Sequence, residues 1–268
     1  MSKLEEALEK ANRLRNSAAI DDKSRKLDVF QNVEPRKIDN DYIVTLTRPD
    51  SPIAEEYRRL KSMLIRETKA DFLNTIMITS SVNGEGKTLT AVNLAVTLAQ
   101  EIDHTILLID ADLRKPMIHE CLGIKYKYGL SDYLTQDIDI SEVLIKTGIG
   151  NMVLLPAGRI VKNPVELLSS EKMKALIKEL KQRYMDRYII VDTPPILSCA
   201  EGIAIGSYMD GIVFVVREGQ AQKKTIEDAL SMIQELNILG LVFNNVSAAN
   251  LDGHYSPYNY GYKHKEKQ

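Results

Sequence analysis

Cysteine is nearly missing: Cys121 and Cys199 are the only two among 268 residues, so no disulfide framework is available and a reducing cytoplasm is expected. Long apolar runs are missing as well, and nothing approaches the roughly 20 residues a membrane-spanning helix needs. Neither sign of charge dominates. Thirty-five Lys and Arg against 37 Asp and Glu leave a net charge of −2 and a pI near 6.1, which gives no reason to expect nucleic acid as a partner. The first ten residues, MSKLEEALEK, are charged from the third onward, which speaks against a secretory signal peptide. No repeat period is present, and biased composition is confined to a tyrosine-rich end. What the chain does have is 44% hydrophobic residues, enough for one large α/β core with length left for arms. The expectation is a cytoplasmic protein that reaches the inner face of a membrane only through a partner.

The stretch TIMITSSVNGEGKT, residues 75–88, organises the rest. Residues 75–79 form a short apolar β-prone run, and the amphipathic run 89–100 predicts a helix. Between them lie Gly84, Glu85, Gly86, Lys87 and Thr88. Backbone N–H groups close around a phosphate only where side chains are absent, and a helix N-terminus adds its positive end. Lys87 then supplies a mobile cation and the Thr88 hydroxyl a Mg²⁺ ligand. The full GxxxxGK[ST] pattern is not met, because Ser81 stands where its first Gly would be. An ordinary surface turn is the plain alternative, but the flanking strand and helix favour a nucleotide site.

Further apolar runs at 105–110 (TILLID), 151–155, 187–192 (RYIIVD), 211–216 and 239–244 alternate with helical segments at 171–184 and 221–236. This alternation predicts a doubly wound, mostly parallel sheet with helices on both faces, a P-loop NTPase architecture. Ligands of such sheets bind beyond the carboxyl ends of the strands. Upstream, Ser2 and Glu5 open a short amphipathic helix with Leu4, Leu8, Ala11 and Leu14 on one stripe, and 19–40 reads as a linker. Residues 42–47 alternate weakly and suggest a short strand. Pro49 and Pro52 punctuate a turn before a second helix at 53–69. The organisation expected is an arm at 1–40, a nucleotide-binding domain at 41–250 and a flexible tail at 251–268.

Asp110 and Asp112 stand two residues apart where one strand ends, and Asp192 ends another. Acids at strand ends beside a phosphate loop are suited to hold Mg²⁺ and to accept a proton from an attacking hydroxyl. A single such Asp is usually a turn residue or a helix cap; three with GEGKT are harder to dismiss.

SSVNGEGKT, LLIDADLRKP and IIVDTPP together resemble the Walker A, Walker A′ and Walker B motifs of the bacterial tyrosine kinases (BY-kinases). GLSDYL (129–134), LPAGRIVKNPVELLSS (155–170) and GLVFNNV (240–246) extend the likeness over residues 50–262. The arm SKLEEALEKA and the length resemble the tyrosine autokinases of exopolysaccharide and exosortase (PEP-CTERM) loci. The resemblance implies that Asn83, Gly84, Glu85, Gly86, Lys87, Thr88 and Leu89 bind ATP, with Asn244 at the adenine. It implies Mg²⁺ on Thr88, Asp112 and Asp192, and catalysis by Lys87, Asp110 and Asp112, with Asp110 favoured as base. Arg114 is expected near the phosphates, or in a surface ion pair.

The tail carries Tyr255, Tyr258, Tyr260 and Tyr262 between Gly, Pro, Asn and Ser. That composition builds no core, and in this context the tyrosines read as autophosphorylation sites reached in trans. Glu55, Arg58 and Lys61 share one helical face and resemble the family's ExxRxxR subunit contact, with Lys61 in place of the second Arg. The resemblance thus implies a homo-oligomer, in the family a ring, and a transmembrane polysaccharide co-polymerase as activator. Two other functions compete: a partitioning-type ATPase switch and a non-catalytic nucleotide-binding scaffold. The switch ATPases carry a signature lysine early in the loop, where this chain has Val82, and lack a tyrosine tail. The complete set of acids with Lys87 argues against the scaffold.

Overall fold

The computed structural model describes residues 38, 40–71, 73–101, 104–183 and 187–247. The amphipathic helix expected at the N-terminus, its linker up to residue 37 and the tyrosine tail at 251–268 lie outside the described residues. Seven strands form one sheet: β1 Thr75–Ser80, β2 Thr105–Asp110, β3 Ile145–Lys146, β4 Met152–Leu155, β5 Arg187–Asp192, β6 Gly211–Arg217 and β7 Ile238–Asn244, in spatial order β3-β4-β2-β5-β1-β6-β7. Every neighbouring pair is parallel except β3 with β4. Helices cover both faces: α1 Val44–Thr47, α2 Pro52–Thr68, α3 Lys87–Ala99, α4 Ile118–Cys121, α5 Leu130–Thr135, α6 Ile140–Val143, α7 Pro164–Leu168, α8 Glu171–Arg183, α9 Glu201–Gly206 and α10 Lys223–Met232.

The central strands are buried on both faces, which is why they read as unbroken apolar runs rather than alternating ones. Met77, Leu107, Ile109, Ile189, Val191 and Phe214 face one layer, where Met173, Leu176, Ile177 and Leu180 of α8 and Ala229 of α10 meet them. Ile76, Ile78, Ile106, Leu108, Ile190 and Val215 face the other, against Ala91, Leu94, Ala95 and Leu98 of α3. All ten residues from Thr90 to Ala99 are buried, because α3 is roofed in turn by α1 and α2. Ser51 caps α2 by accepting the Ala54 N–H, and Pro52 sits in its first turn, both standard start signals.

The strand expected at 42–47 is instead the helical turn α1. Just before it, the Asn40 side chain accepts the Tyr42 N–H in a local turn. Asn93, inside α3, accepts from the Thr45 N–H at 3.2 Å and hydroxyl at 3.0 Å and donates to Tyr42 O at 3.0 Å. Ile43 and Val44 are then buried beneath it. Three tertiary hydrogen bonds, each contributing about 0.5–1.5 kcal/mol, outweigh a weak local β preference.

The parallel register brings the chemistry to one edge. Asp110, ending β2, pairs directly with Asp192, ending β5, and Ile78 of the adjacent β1 pairs with Asp192 too. The phosphate loop springs from β1 two residues later.

Candidate functional site

Between β1 and α3 the backbone takes positive φ at Gly84 (86°) and Gly86 (90°), a conformation glycine adopts without cost. Asn83, Gly84 and Glu85 form the turn, and Gly86 serves as N-cap of α3, whose first residues are Lys87, Thr88 and Leu89. Among the described residues, the N–H groups of 84–88 meet no protein acceptor. Such free donors ahead of a helix N-terminus suit an anion.

Ser81 replaces a glycine, and the loop compensates locally. The Glu85 carboxylate is fully buried and turns back into the loop, where its Oε2 accepts from the Ser81 hydroxyl at 2.7 Å and the Val82 N–H at 2.9 Å. Any contact of Glu85 with a nucleotide is therefore left to its backbone.

Lys87 and Thr88 point toward the strand-end acids. Lys87 Nζ lies 3.0 Å from Asp112 Oδ2, with both side chains largely buried, and the Thr88 hydroxyl donates to Asp192 Oδ2 at 2.6 Å. Asp112 also accepts the Lys115 N–H, and Asp110 accepts the Ile118 N–H at the start of α4. The second oxygens of Asp110 and Asp192 are buried and without a hydrogen-bond partner. Burial pushes the Asp110 carboxyl well above the usual range, and the neighbouring Asp192 adds to this. Burial likewise pushes Asp192 up to about 6 although Lys87 and the Thr88 hydroxyl pull it down. For Lys87, burial works against the charge but Asp192 and Asp112 outweigh it, so its pKa is raised.

These residues fit a magnesium nucleotide. Among the described residues no three His, Cys, Asp or Glu side chains converge on an all-protein metal centre. Mg²⁺ does not need one, since it keeps waters and takes only one or two carboxylates beside substrate phosphates. The Thr88 hydroxyl, the unpartnered oxygen of Asp192 and the nearby Asp112 carboxylate would supply the protein's share.

Asn244, ending β7, donates to Glu85 O at 2.9 Å. Arg114 Nε pairs at 2.5 Å with Glu201, whose side chain is 1% exposed, so Arg114 is held in an ion pair at the site's margin. Glu55 and Arg58 pair with each other on the exposed face of α2, whereas Lys61 turns to Glu101 at 2.5 Å. Sequence reasoning missed Glu201, Arg217 and Gln220; Arg217 ends β6 and Gln220 follows it, at the strand end that the parallel-sheet rule points to.

A family model described as "AAA domain" matches residues 73–240. The Bacillus subtilis tyrosine-protein kinase YwqD is 34% identical over 204 residues, covering 75% of this chain and 85% of YwqD. The Escherichia coli tyrosine-protein kinase Etk is 29% identical over 224 residues, 83% of this chain but only 30% of Etk, so the chain spans less than a third of that relative. The solved kinase domain of Etk superposes with a TM-score of 0.74 at 28% identity, covering 84% of this chain and 88% of that domain. The chimerical protein CapA2B2 does so at 0.72 and 27%, covering 84% and 99%. Among the described residues no helix is long and apolar enough to cross a membrane. A seven-stranded sheet with a glycine loop and three acids at adjacent strand ends thus matches its relatives over most of its length, and the chain belongs to the bacterial tyrosine-protein kinase family.

Proposed function

We propose that the chain is an ATP-dependent protein-tyrosine autokinase, acting on the tail tyrosines of a neighbouring copy. The observation that carries this is the Asp110 carboxylate, buried at a strand end with one oxygen unpartnered, beside Asp192, Thr88 and Lys87. Asp110 accepts the proton of an incoming tyrosine hydroxyl, and its raised pKa makes it a stronger base once ionised. The N–H groups of 84–88 and Lys87 hold the phosphates. Thr88, Asp112 and Asp192 hold Mg²⁺, which when bound neutralises charge that grows on the transferring phosphoryl group. Tyrosine is phosphorylated as its proton passes to Asp110 and the bond to the β-phosphate breaks, leaving ADP.

Tyr255, Tyr258, Tyr260 and Tyr262 follow one another at two- or three-residue spacing, so successive tyrosines can enter one site. A chain cannot easily bring its own terminus into its own cleft with in-line geometry, so transfer runs between copies, joined through Glu55, Arg58 and Lys61. Mixing a Lys87→Ala chain with an active chain truncated after Gly253 should place phosphate on residues 255–262 of the inactive partner, in several stoichiometries. Peptide mass mapping reads the result. Label on serines, or ATP hydrolysis without label on the tail, would favour the ATPase switch.

We further propose that the kinase regulates exopolysaccharide synthesis or export and is recruited by a transmembrane co-polymerase. The family and the absence of a spanning helix among the described residues support this. Fractionation is the check: the chain should move to the membrane pellet only when a transmembrane polysaccharide co-polymerase is co-expressed with it. Equal sedimentation with and without that protein would argue against recruitment.

A further inference from the structure

Three successive carbonyls of the phosphate loop are each held from outside the loop by a side-chain donor. Gln220 Nε2 meets Asn83 O at 3.0 Å, Arg217 Nη1 meets Gly84 O at 3.1 Å and Asn244 Nδ2 meets Glu85 O at 2.9 Å. The next carbonyl, of Gly86, takes the Thr90 N–H and so begins α3. In a planar trans peptide the C=O of one residue and the N–H of the next point in opposite directions. Fixing the carbonyls of 83, 84 and 85 therefore fixes the N–H groups of Gly84, Glu85 and Gly86 on the opposite side of the backbone. Among the described residues those N–H groups have no acceptor.

The three donors come from one corner of the sheet. Arg217 and Asn244 are register partners at the ends of β6 and β7. Gln220 follows a turn closed by its N–H on Arg217 O, with Gly219 at φ 72°. The loop glycines leave room for these donors. A Cβ on Gly84 would come within 3.1 Å of Gln220 Nε2, and one on Gly86 within 2.1 Å of Asn244 Nδ2.

We infer that Arg217, Gln220 and Asn244 are positioning residues that hold the phosphate loop in its anion-binding shape before nucleotide arrives. This rests on the nucleotide-site reading above. It gives Asn244 a second task, because an amide with one N–H committed to Glu85 O keeps its other N–H and its oxygen for a base.

Tripolyphosphate with Mg²⁺ carries the phosphates of ATP and no base, so it separates the two tasks. Calorimetric titration of the full chain with each ligand should give wild-type binding to both. Gln220→Met and Asn244→Leu remove a donor without changing charge. Gln220→Met should weaken tripolyphosphate and ATP alike, by about 2- to 13-fold, the range one lost hydrogen bond spans, and Asn244→Leu should weaken tripolyphosphate by as much and ATP by at least that. The ligand-free melting temperature should stay within about 2 °C of wild type, since the loop is small beside the core. Gln220 lies on the surface, so Gln220→Met tests the idea even if Asn244→Leu fails to fold. Unchanged tripolyphosphate affinity in Gln220→Met, or weakening of ATP alone in Asn244→Leu, would overturn the assignment. A wild-type chain that binds neither ligand would overturn the nucleotide site itself.

Discussion

Replacing Lys87 by Ala is expected to lower nucleotide-dependent tyrosine phosphorylation by about 10³-fold or more while the chain still folds. The magnitude follows from removing a preorganised donor aimed at developing charge, which alone costs about 10²–10³ in rate, and here the donor also carries full charge. Lys87 is the cation the loop itself supplies, and it is set 3.0 Å from Asp112. Its loss removes the cation that favours the ionised forms of the buried Asp110 and Asp192, so their protonation rises and Mg²⁺ is held less well. Folding survives because the sheet core lies behind the loop, and circular dichroism checks that point. Intact mass after incubation with Mg-ATP is the readout. Wild-type phosphorylation by a folded Lys87→Ala chain would remove the loop from the mechanism. Lys87→Arg should fail nearly as badly, because a planar fork does not replace a compact ammonium in a site this closed.

The parts of this site legible in the sequence are those written in consecutive residues. Residues 105–110 and 187–192 are continuous apolar runs that end in acid, and both strands lie where expected. That pattern exists because a strand covered on both faces can admit a charge only where the sheet stops. The glycine loop is equally plain, since the positive φ of Gly84 and Gly86 is a local backbone demand that shows as glycine in consecutive residues. The segment at 42–47 was not legible, because Asn93, 48 positions from Thr45, decides its shape. Short helices such as α4 to α7 and the two-residue β3 carry too few residues for a period to show. The inward turn of Glu85 escaped for a different reason. Its side chain is claimed by the Ser81 hydroxyl and the Val82 N–H, a contact inside the loop that the GxxxxGK[ST] pattern does not encode. Arg217 and Gln220 act on loop carbonyls 133 and 137 positions away, and no motif spans that distance.

Asp192→Asn is expected to change activity and the pH dependence of stability together. The carboxylate lies at the strand end with the Thr88 hydroxyl 2.6 Å from one oxygen and nothing on the other, so Asn keeps the volume and loses the charge that Mg²⁺ requires. Phosphorylation should fall by at least about 10²-fold, and excess Mg²⁺ should restore little of it. Without ligand the effect runs the other way. Burial raises Asp192 to about 6 in the folded chain, against about 3.9 for an unfolded Asp. Between those values the folded state binds more protons than the unfolded one, so stability must fall as pH rises from 4 to 7. The drop is about 3 kcal/mol at most, and Asp110, raised for the same reason, adds to it in the same direction. Urea titrations of the ligand-free protein at pH 4.5 and 7.5 should therefore show a smaller loss in Asp192→Asn than in wild type. Magnesium and ATP favour the ionised carboxylate, so their stabilisation of wild type should be larger at pH 7.5 than at pH 4.5. Parallel curves for wild type and variant would mean that Asp192 is not a buried charge. Full Mg²⁺-dependent activity in the variant would mean that Asp192 does not hold the metal.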